Sequence, residues 1–155
     1  NVSYYPDLEK AIVYLEEDKN INVPKEVAKY FLKKNKTDEA IVYFEKSIAK
    51  QPEDFESFEF LMQLLVDKKQ FEKVNTLASQ QLELYPTQAS LYYYAGLALN
   101  SLSKYKEAKS KLEEGVDYVV ENKELETNFY KQLVISCEKL GDLKNKDKYQ
   151  LKIKK

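Results

Sequence analysis

Side chains able to do chemistry are scarce in this chain. It contains no histidine, which removes the commonest general base and the commonest metal ligand. The three glycines, Gly96, Gly115 and Gly141, stand apart from one another, so no glycine-rich loop can hold a phosphate group. Adjacent carboxylates such as Glu113 and Glu114 point about 100° apart on a helix and do not form an acid–base pair. We therefore expect no enzyme activity, no metal site and no cofactor.

Lysine is the charged residue with the most informative spacing. The basic side chains number 25, and all of them are lysine, so no bidentate guanidinium contact is possible. Lys25, Lys29 and Lys33 are spaced i, i+4 and i+8, which predicts one cationic stripe on a helix, suited to an acidic peptide. The alternative is internal neutralisation by acids further along the chain, namely Glu56, Glu59 and Asp67.

One spacing organises the elements that must position these residues. Chemically matched positions recur every 34 residues, and they form three series: Ala40, Val74 and Ala108; Thr37, Phe71 and Tyr105; Pro52, Pro86 and Val120. A fixed period over a hundred residues indicates stacked helical repeats, because each unit buries its apolar face on its neighbours. Glycine and proline are rare, at 3 and 4 residues, so the fold class is predicted to be all-α.

The period divides most of the chain into helix pairs. The predicted units span residues 21–54, 55–88, 89–122 and 127–155, with 123–126 as a four-residue insertion before the last unit. In the third unit, Val120 replaces the proline that ends the first two, which leaves its second helix free to continue. Residues 1–20 contain an amphipathic helix with Leu8, Ile12 and Leu15 on one face, either a cap or part of another repeat. The expected total is about nine helices.

These units resemble the tetratricopeptide repeat, a 34-residue helix–turn–helix motif with an aromatic at position 4, leucine and glycine at 7 and 8, and alanine at 20. The matching residues include Tyr92, Gly96 and Ala108 in the third unit. The resemblance implies a right-handed superhelix of antiparallel helix pairs. It also implies that Cys137 occupies a packing position, so we expect a buried, inert thiol. Lys146 replaces the alanine of the last unit, whose final helix should pack loosely or act as a polar cap.

The resemblance also implies a binding surface on the first helix of each pair, chiefly at positions 2, 5, 9, 12 and 13. Tyr93, Leu97 and Ile135 would be apolar anchors there, because Tyr92 already supplies the expected core aromatic and leaves Tyr93 pointing elsewhere. Lys25, Lys29, Lys33 and Lys131 would steer an acidic segment. Ser90 and Asn100 fall at surface positions of the same set.

We therefore predict a non-enzymatic scaffold that binds a protein or peptide segment in a concave groove. The alternative is a structural module that joins copies of itself or other domains of a larger protein. A third hypothesis is RNA or membrane-surface binding by residues 127–155, which carry eight lysines and three acids, but nucleic acid is the less favoured partner.

The compartment and the oligomeric state stay open. Cys137 is the single cysteine, so no intrachain disulfide is possible, and both a cytoplasmic and a periplasmic or secreted location fit the sequence. No apolar run approaches the roughly 18 residues that cross a bilayer, which predicts a soluble chain. Because the chain starts at Asn1 rather than at methionine, we expect a region of a longer protein or a processed form.

Overall fold

The computed structural model describes residues 22–154, and all of the regular structure in that range is helical. The helices are α1 (Val23–Lys33), α2 (Thr37–Lys50), α3 (Phe55–Asp67), α4 (Phe71–Leu84), α5 (Ala89–Ser101), α6 (Tyr105–Val116), α7 (Lys123–Leu140) and α8 (Leu143–Ile153). The prediction of an all-α fold is confirmed. The helix predicted within residues 1–20 lies outside the described residues.

Local side-chain chemistry explains where several helices begin. The Asn22 side chain accepts a hydrogen bond from the backbone N–H three residues on, and Asn122 and Asp142 do the same before α7 and α8. Each bond satisfies one of the backbone donors that have no partner inside the first helical turn. Pro24 occupies the first turn of α1, where a missing N–H has no cost.

The turn inside each helix pair repeats with the same period as the sequence. Asn35, Lys69 and Ser103 have φ values of 56°, 57° and 61°, and Gly141 takes the equivalent place in the last pair with φ 70°. A left-handed residue ends a helix by turning the chain back, and glycine adopts that conformation most easily. Only the last of these four residues is glycine, so sequence patterns alone do not reveal this shared turn.

The described chain contains two compact units, and the boundary between Leu64 and Leu65 lies within α3. In the first unit α1 packs on α2, Phe31 stacks on Tyr43 at 5.5 Å, and Phe44 stacks on Phe60 at 5.3 Å. In the second unit each helix from α4 to α8 packs on the next one, and α5 also contacts α7. A buried cluster joins these helices and includes Tyr92, Leu112, Phe129, Cys137 and Tyr149.

The four-residue insertion forms an additional helical turn. Helix α7 begins at Lys123, which is 34 residues after the start of α5 at Ala89, and it has 18 residues where α5 has 13. Its buried Tyr130 nevertheless lies 38 residues after the equivalent Tyr92. The insertion therefore lengthens the helix at its N-terminus and leaves the packing positions of the repeat intact.

The ends of the last two second helices differ. Helix α6 stops at Val116 although no proline follows, because the chain turns at once: the Tyr118 N–H donates to the Gly115 carbonyl at 3.1 Å and the Tyr118 ring stacks on Tyr92 at 5.5 Å. The possible continuation of α6 to Val120 is therefore wrong. Helix α8 packs on α7 and buries Tyr149, while Leu143 and Leu151 are 64% and 63% exposed on it.

Candidate functional site

The cationic stripe on α1 is paired with acids of its own unit. Lys25 Nζ lies 3.1 Å from Asp54 Oδ2 and 2.5 Å from Glu56 Oε2, and Lys29 Nζ lies 2.9 Å from Glu56 Oε1. Hydrogen bonds from Lys25 and Lys29 hold the pKa of the Glu56 carboxyl below its usual value. Burial lowers the pKa of Lys25, but hydrogen bonds to Glu56 and Asp54 outweigh it and the net shift is upward.

Glu56, one of the three acids predicted as partners, makes ion pairs with Lys25 and Lys29. Asp54, which also pairs with Lys25, is not among the predicted acids. The third lysine, Lys33, is exposed on the last turn of α1. Lys29 also lies 5.9 Å from the centre of the Phe60 ring, an aromatic side chain at the surface. Two lysines of the stripe are therefore engaged within the protein, and a ligand for them must compete with Glu56.

A buried hydrogen-bond network positions Asp54. The Asn22 amide donates to Ser47 Oγ at 2.7 Å and to Asp54 Oδ2 at 3.0 Å, while the Ser57 hydroxyl donates to the same Asp54 oxygen at 3.0 Å. Ser47 donates to Ser57 at 2.8 Å, and both serines are fully buried. Burial raises the pKa of Asp54, but hydrogen bonds from Lys25 and Ser57 more than compensate and lower it. The network holds the carboxylate that Lys25 contacts.

The predicted apolar anchors lie on α5 and α7, two helices in contact within the second unit. The Tyr93 ring is half-buried and meets Phe129 edge-on at 5.7 Å and Tyr94 at 5.2 Å. Burial raises the pKa of the Tyr93 hydroxyl. Leu97, one turn further along α5, is half-buried, and Ile135 on α7 is 40% exposed. Lys131, one turn before Ile135, is exposed. Tyr93, Leu97 and Ile135, together with the neighbouring Lys131, define what we call the apolar patch.

Two residues that the resemblance assigns to the surface are buried instead. Ser90 and Asn100 are 4% and 7% exposed. The Asn100 amide donates to the Gln132 backbone carbonyl and to its side-chain oxygen, both at 3.0 Å, and the Ser136 hydroxyl donates to Asn100 Oδ1 at 2.7 Å. The direct contact of α5 with α7 covers this side chain, so it fastens neighbouring repeats together and does not face a partner. The sequence gives no advance sign that Asn100 is buried, because a polar residue at a packing position looks like a surface residue.

The remaining chemistry of the described residues is limited. Cys137 is fully buried, as predicted, and burial raises the pKa of its thiol. Within residues 22–154, histidine, cysteine and acidic side chains form no group of three or more that could hold a metal ion. None of the eight helices combines the length and the apolar character needed to cross a membrane. The arrangement is suited to binding by surface contact.

Known proteins resemble this chain in sequence pattern and in fold. A family model described as anaphase-promoting complex, cyclosome, subunit 3 matches residues 33–115, which is 83 of 155 residues. A search of curated proteins found no significant match. Among solved structures, MamA from Desulfovibrio magneticus RS-1 shares 18% identity with a TM-score of 0.69, covering 98% of this chain and 86% of that one.

Two further structures support the same fold. A double mutant of MamA RS-1 has a TM-score of 0.72 at 16% identity, covering 98% of this chain and 86% of that one. The first TPR domain of human RPAP3 has a TM-score of 0.65 at 21% identity, covering 83% of this chain and 98% of that one. At these identities the likeness to the structures concerns the fold alone.

Proposed function

Since the chain belongs to the tetratricopeptide repeat family, through the repeat model described as anaphase-promoting complex, cyclosome, subunit 3, we propose that it is a non-enzymatic scaffold holding a segment of a partner protein. A fold of this family supports protein–protein interaction as the general role. The finer proposal is that the partner contacts the first helices of the pairs, through Tyr93, Leu97 and Ile135 as anchors and Lys25, Lys29, Lys33 and Lys131 as steering charges.

The single observation that carries the proposal is the apolar patch. Ile135 on α7 is 40% exposed, and Tyr93 and Leu97 on the contacting helix α5 are half-buried, so these side chains offer apolar area that no core position requires. Apolar side chains at helical spacing beside a lysine are typical of surfaces that receive a peptide segment. Aromatic anchors such as Tyr93 contribute much of the binding energy in such interfaces.

The lysines support an acidic partner segment. Lys33 and Lys131 are exposed. Lys25 and Lys29 form ion pairs with Glu56, and each of these pairs contributes little to the stability of the fold, about 0–1 kcal/mol. A carboxylate of the partner can replace Glu56 at little cost. Electrostatic attraction of this kind mainly raises the association rate and selects the partner.

The experiment compares capture of partner proteins by matched variants. We expect the wild-type chain, used as bait in an extract of its native source, to retain a protein that is lost with Tyr93→Ala combined with Leu97→Ala. Leu84→Ala is the control, because Leu84 is 61% exposed on the second helix α4. Ile135→Asp tests the patch without touching a packed ring. Circular dichroism checks that all variants keep their helices, and unchanged capture by both patch variants would exclude the assignment.

One observation favours the second candidate, self-association. Leu143 and Leu151 on α8 expose most of their apolar area, and a repeat normally buries such a face on a neighbour. Light scattering over a concentration series separates the two functions. A molar mass that rises with concentration and returns to the monomer value in Leu143→Ser combined with Leu151→Ser supports self-association, whereas a strict monomer at all concentrations argues against it.

A further inference from the structure

A second open site lies in the second unit, between the second helices α4 and α6. It is a cleft of about 450 Å³ with Asn75 and Ser79 on one wall, Lys106, Ser110 and Lys111 on the other, and the buried Leu99 of α5 as its floor. Leu99 is two residues from Leu97, which places the two side chains about 200° apart around the helix. The cleft is therefore distinct from the apolar patch.

The equivalent place in the next repeat is closed. Lys109 and Glu113 lie 34 residues after Asn75 and Ser79, and Cys137 and Tyr149 lie 38 residues after Leu99 and Lys111. There the Tyr149 hydroxyl donates to Glu113 at 2.7 Å, and Lys109 forms an ion pair with Asp142 at 2.8 Å. Tyr149 is buried. The long side chains of that repeat fill the space between its second helices.

Three substitutions between the repeats leave the first cleft open. Asn75 and Ser79 are too short to reach the opposite wall as Lys109 and Glu113 do. Lys111 takes the place of Tyr149. Its Nζ lies 5.5 Å from the centre of the Tyr92 ring, and in the next repeat the Tyr149 ring stacks in the same way on Tyr130, the equivalent of Tyr92, at 6.0 Å. The stacking position is kept, but the tyrosine–glutamate bond that closes the next repeat is missing.

The groups that line the cleft are suited to a carboxylate. Two ammonium groups, one amide and two hydroxyls can donate hydrogen bonds, while Glu107 contributes the one negative charge. Neither Lys106 nor Lys111 forms an ion pair with any residue from 22 to 154. Lys111 keeps its contact with the Tyr92 ring, and each ammonium group can still take a carboxylate as its partner. The net charge of the lining is +1, which matches a single carboxylate, and a donor from a charged group strengthens such a bond.

We propose that this cleft binds the side-chain carboxylate of an aspartate or glutamate in a partner peptide. The carboxylate occupies the place that Glu113 fills one repeat later, and the aliphatic part of the side chain lies on Leu99. This site adds an acidic contact on the second helices that does not depend on the first-helix surface. A partner with two acidic or apolar segments could use both.

Nuclear magnetic resonance of the ¹⁵N-labelled full chain tests the site. The probe is the peptide acetyl-Ala-Glu-Ala-amide, and acetyl-Ala-Gln-Ala-amide is its uncharged match. We expect saturable shifts of the backbone amides of Ser79, Ser110 and Lys111 with the glutamate peptide and at least tenfold weaker binding of the glutamine peptide. Equal shifts with both peptides, or shifts confined to the residues around Lys25 and Lys33, would overturn the proposal.

Two sets of variants complete the test. Ser79→Glu combined with Lys111→Tyr rebuilds the closed pair of the next repeat and should weaken binding at least tenfold. Lys106→Gln combined with Lys111→Gln removes the charge and keeps a polar side chain that is one bond shorter, so the test stays decisive if the first variant does not fold. Tyr93→Ala combined with Leu97→Ala should leave the affinity unchanged, so failure here is distinguishable from failure of the apolar patch.

The source of the carboxylate is tested separately. Acetyl-Ala-Ala-Ala with a free C-terminus presents a chain-end carboxylate and no acidic side chain. We expect it to bind more weakly than the glutamate peptide, because the longer glutamate side chain reaches the Leu99 floor. Tenfold tighter binding of the chain-end peptide would contradict the side-chain assignment.

Discussion

Gly115 on α6 lies directly against Tyr92 on α5, so closely that a Cβ atom at position 115 would overlap the Cβ atom of the tyrosine. The Tyr92 side chain has little freedom to move away. Its ring stacks on Tyr118 at 5.5 Å, and its hydroxyl lies 2.8 Å from the Pro86 carbonyl and 3.1 Å from Glu114 Oε1. The close approach of these two helices therefore requires glycine at this position.

Gly115→Ala should destabilise the protein, although alanine is the better helix former. Without a clash, replacing a glycine inside a helix by alanine stabilises by about 1 kcal/mol. Overlap with the fixed Tyr92 instead predicts a net loss of about 1–3 kcal/mol. Urea unfolding followed by circular dichroism measures the change, with the exposed Ser110→Ala on the same helix as control. A stability equal to or above wild type would show that α5 and α6 can separate without cost.

Asn100→Ala should cost more than an average surface substitution. The change removes two donated bonds to Gln132 and the 2.7 Å acceptor of the buried Ser136 hydroxyl, which keeps only its 3.2 Å bond to the Gln132 carbonyl, for a loss of about 1–3 kcal/mol. Ser101→Ala is the control, because Ser101 is exposed and bonds within its own helix. Thermal unfolding of Asn100→Ala, Ser136→Ala and the double variant gives the coupling. Additive losses would mean that the two side chains do not interact.

Glu56→Ala should strengthen the binding of acidic peptides. The substitution removes the shared partner of Lys25 and Lys29, so both ammonium groups gain positive potential towards solvent. We expect a two- to fivefold tighter binding of fluorescein-labelled hexaglutamate by fluorescence polarisation at low salt, with the gain reduced by added sodium chloride.

The control for Glu56→Ala is Glu53→Ala, an exposed acid three residues earlier. It removes the same charge from the protein, whereas the ion pairs of Lys25 and Lys29 are made with Asp54 and Glu56. Hexaglutamate binding that improves equally in both variants would attribute the effect to net charge and not to the loss of the Glu56 contacts with Lys25 and Lys29.

Stability should fall at alkaline pH because two tyrosines are held protonated by the fold. Burial, followed by the hydrogen bond with Glu114, raises the pKa of Tyr92 to about 12, and burial and Glu113 raise the pKa of Tyr149. An unfolded tyrosine titrates near pH 10, at about its ordinary value. The stabilisation is therefore complete below pH 10 and is lost as pH rises from there towards the folded values.

Urea midpoints at pH 8 to 11.5 measure this effect. Tyr149→Phe should lower the midpoint at pH 8, through loss of its bond to Glu113, and give a shallower decline above pH 10. Tyr105→Phe is the matched control, because its hydroxyl donates to the hydroxyl of the exposed residue Ser103. An unchanged slope in Tyr149→Phe would show that this residue does not contribute to the alkaline transition.

The core of the repeats could be predicted because helical periodicity is a local property. Phe58, Leu61, Met62 and Leu65 recur every three or four positions along α3, and all four are buried. The role of Gly115 could not be predicted, because helical periodicity does not say how closely the helix that carries it approaches its neighbour. The closeness of Gly115 to Tyr92 follows from the distance between two helices, which is set by all of their contacts together.

The candidate site divides in the same way. Spacing alone places Lys25, Lys29 and Lys33 on one face of α1. The choice of acid that pairs with them depends on residues about 30 positions further on, and Asp54 is selected by its bonds to Asn22 and Ser57. Hydrogen bonds of this kind are short-ranged, so a displacement of one or two ångströms changes the partner.

By itself, the amino-acid sequence determined the helical class, the 34-residue period and the helix faces that are buried, because these depend on apolar side chains recurring every three or four positions. Only the tertiary structure decided that Asn100 fastens α5 to α7, that Glu56 engages two lysines, and that a cleft is open beside Ser79 but closed beside Glu113. Each of these results depends on distances between side chains far apart in the chain, and such distances exist only once the helices have packed.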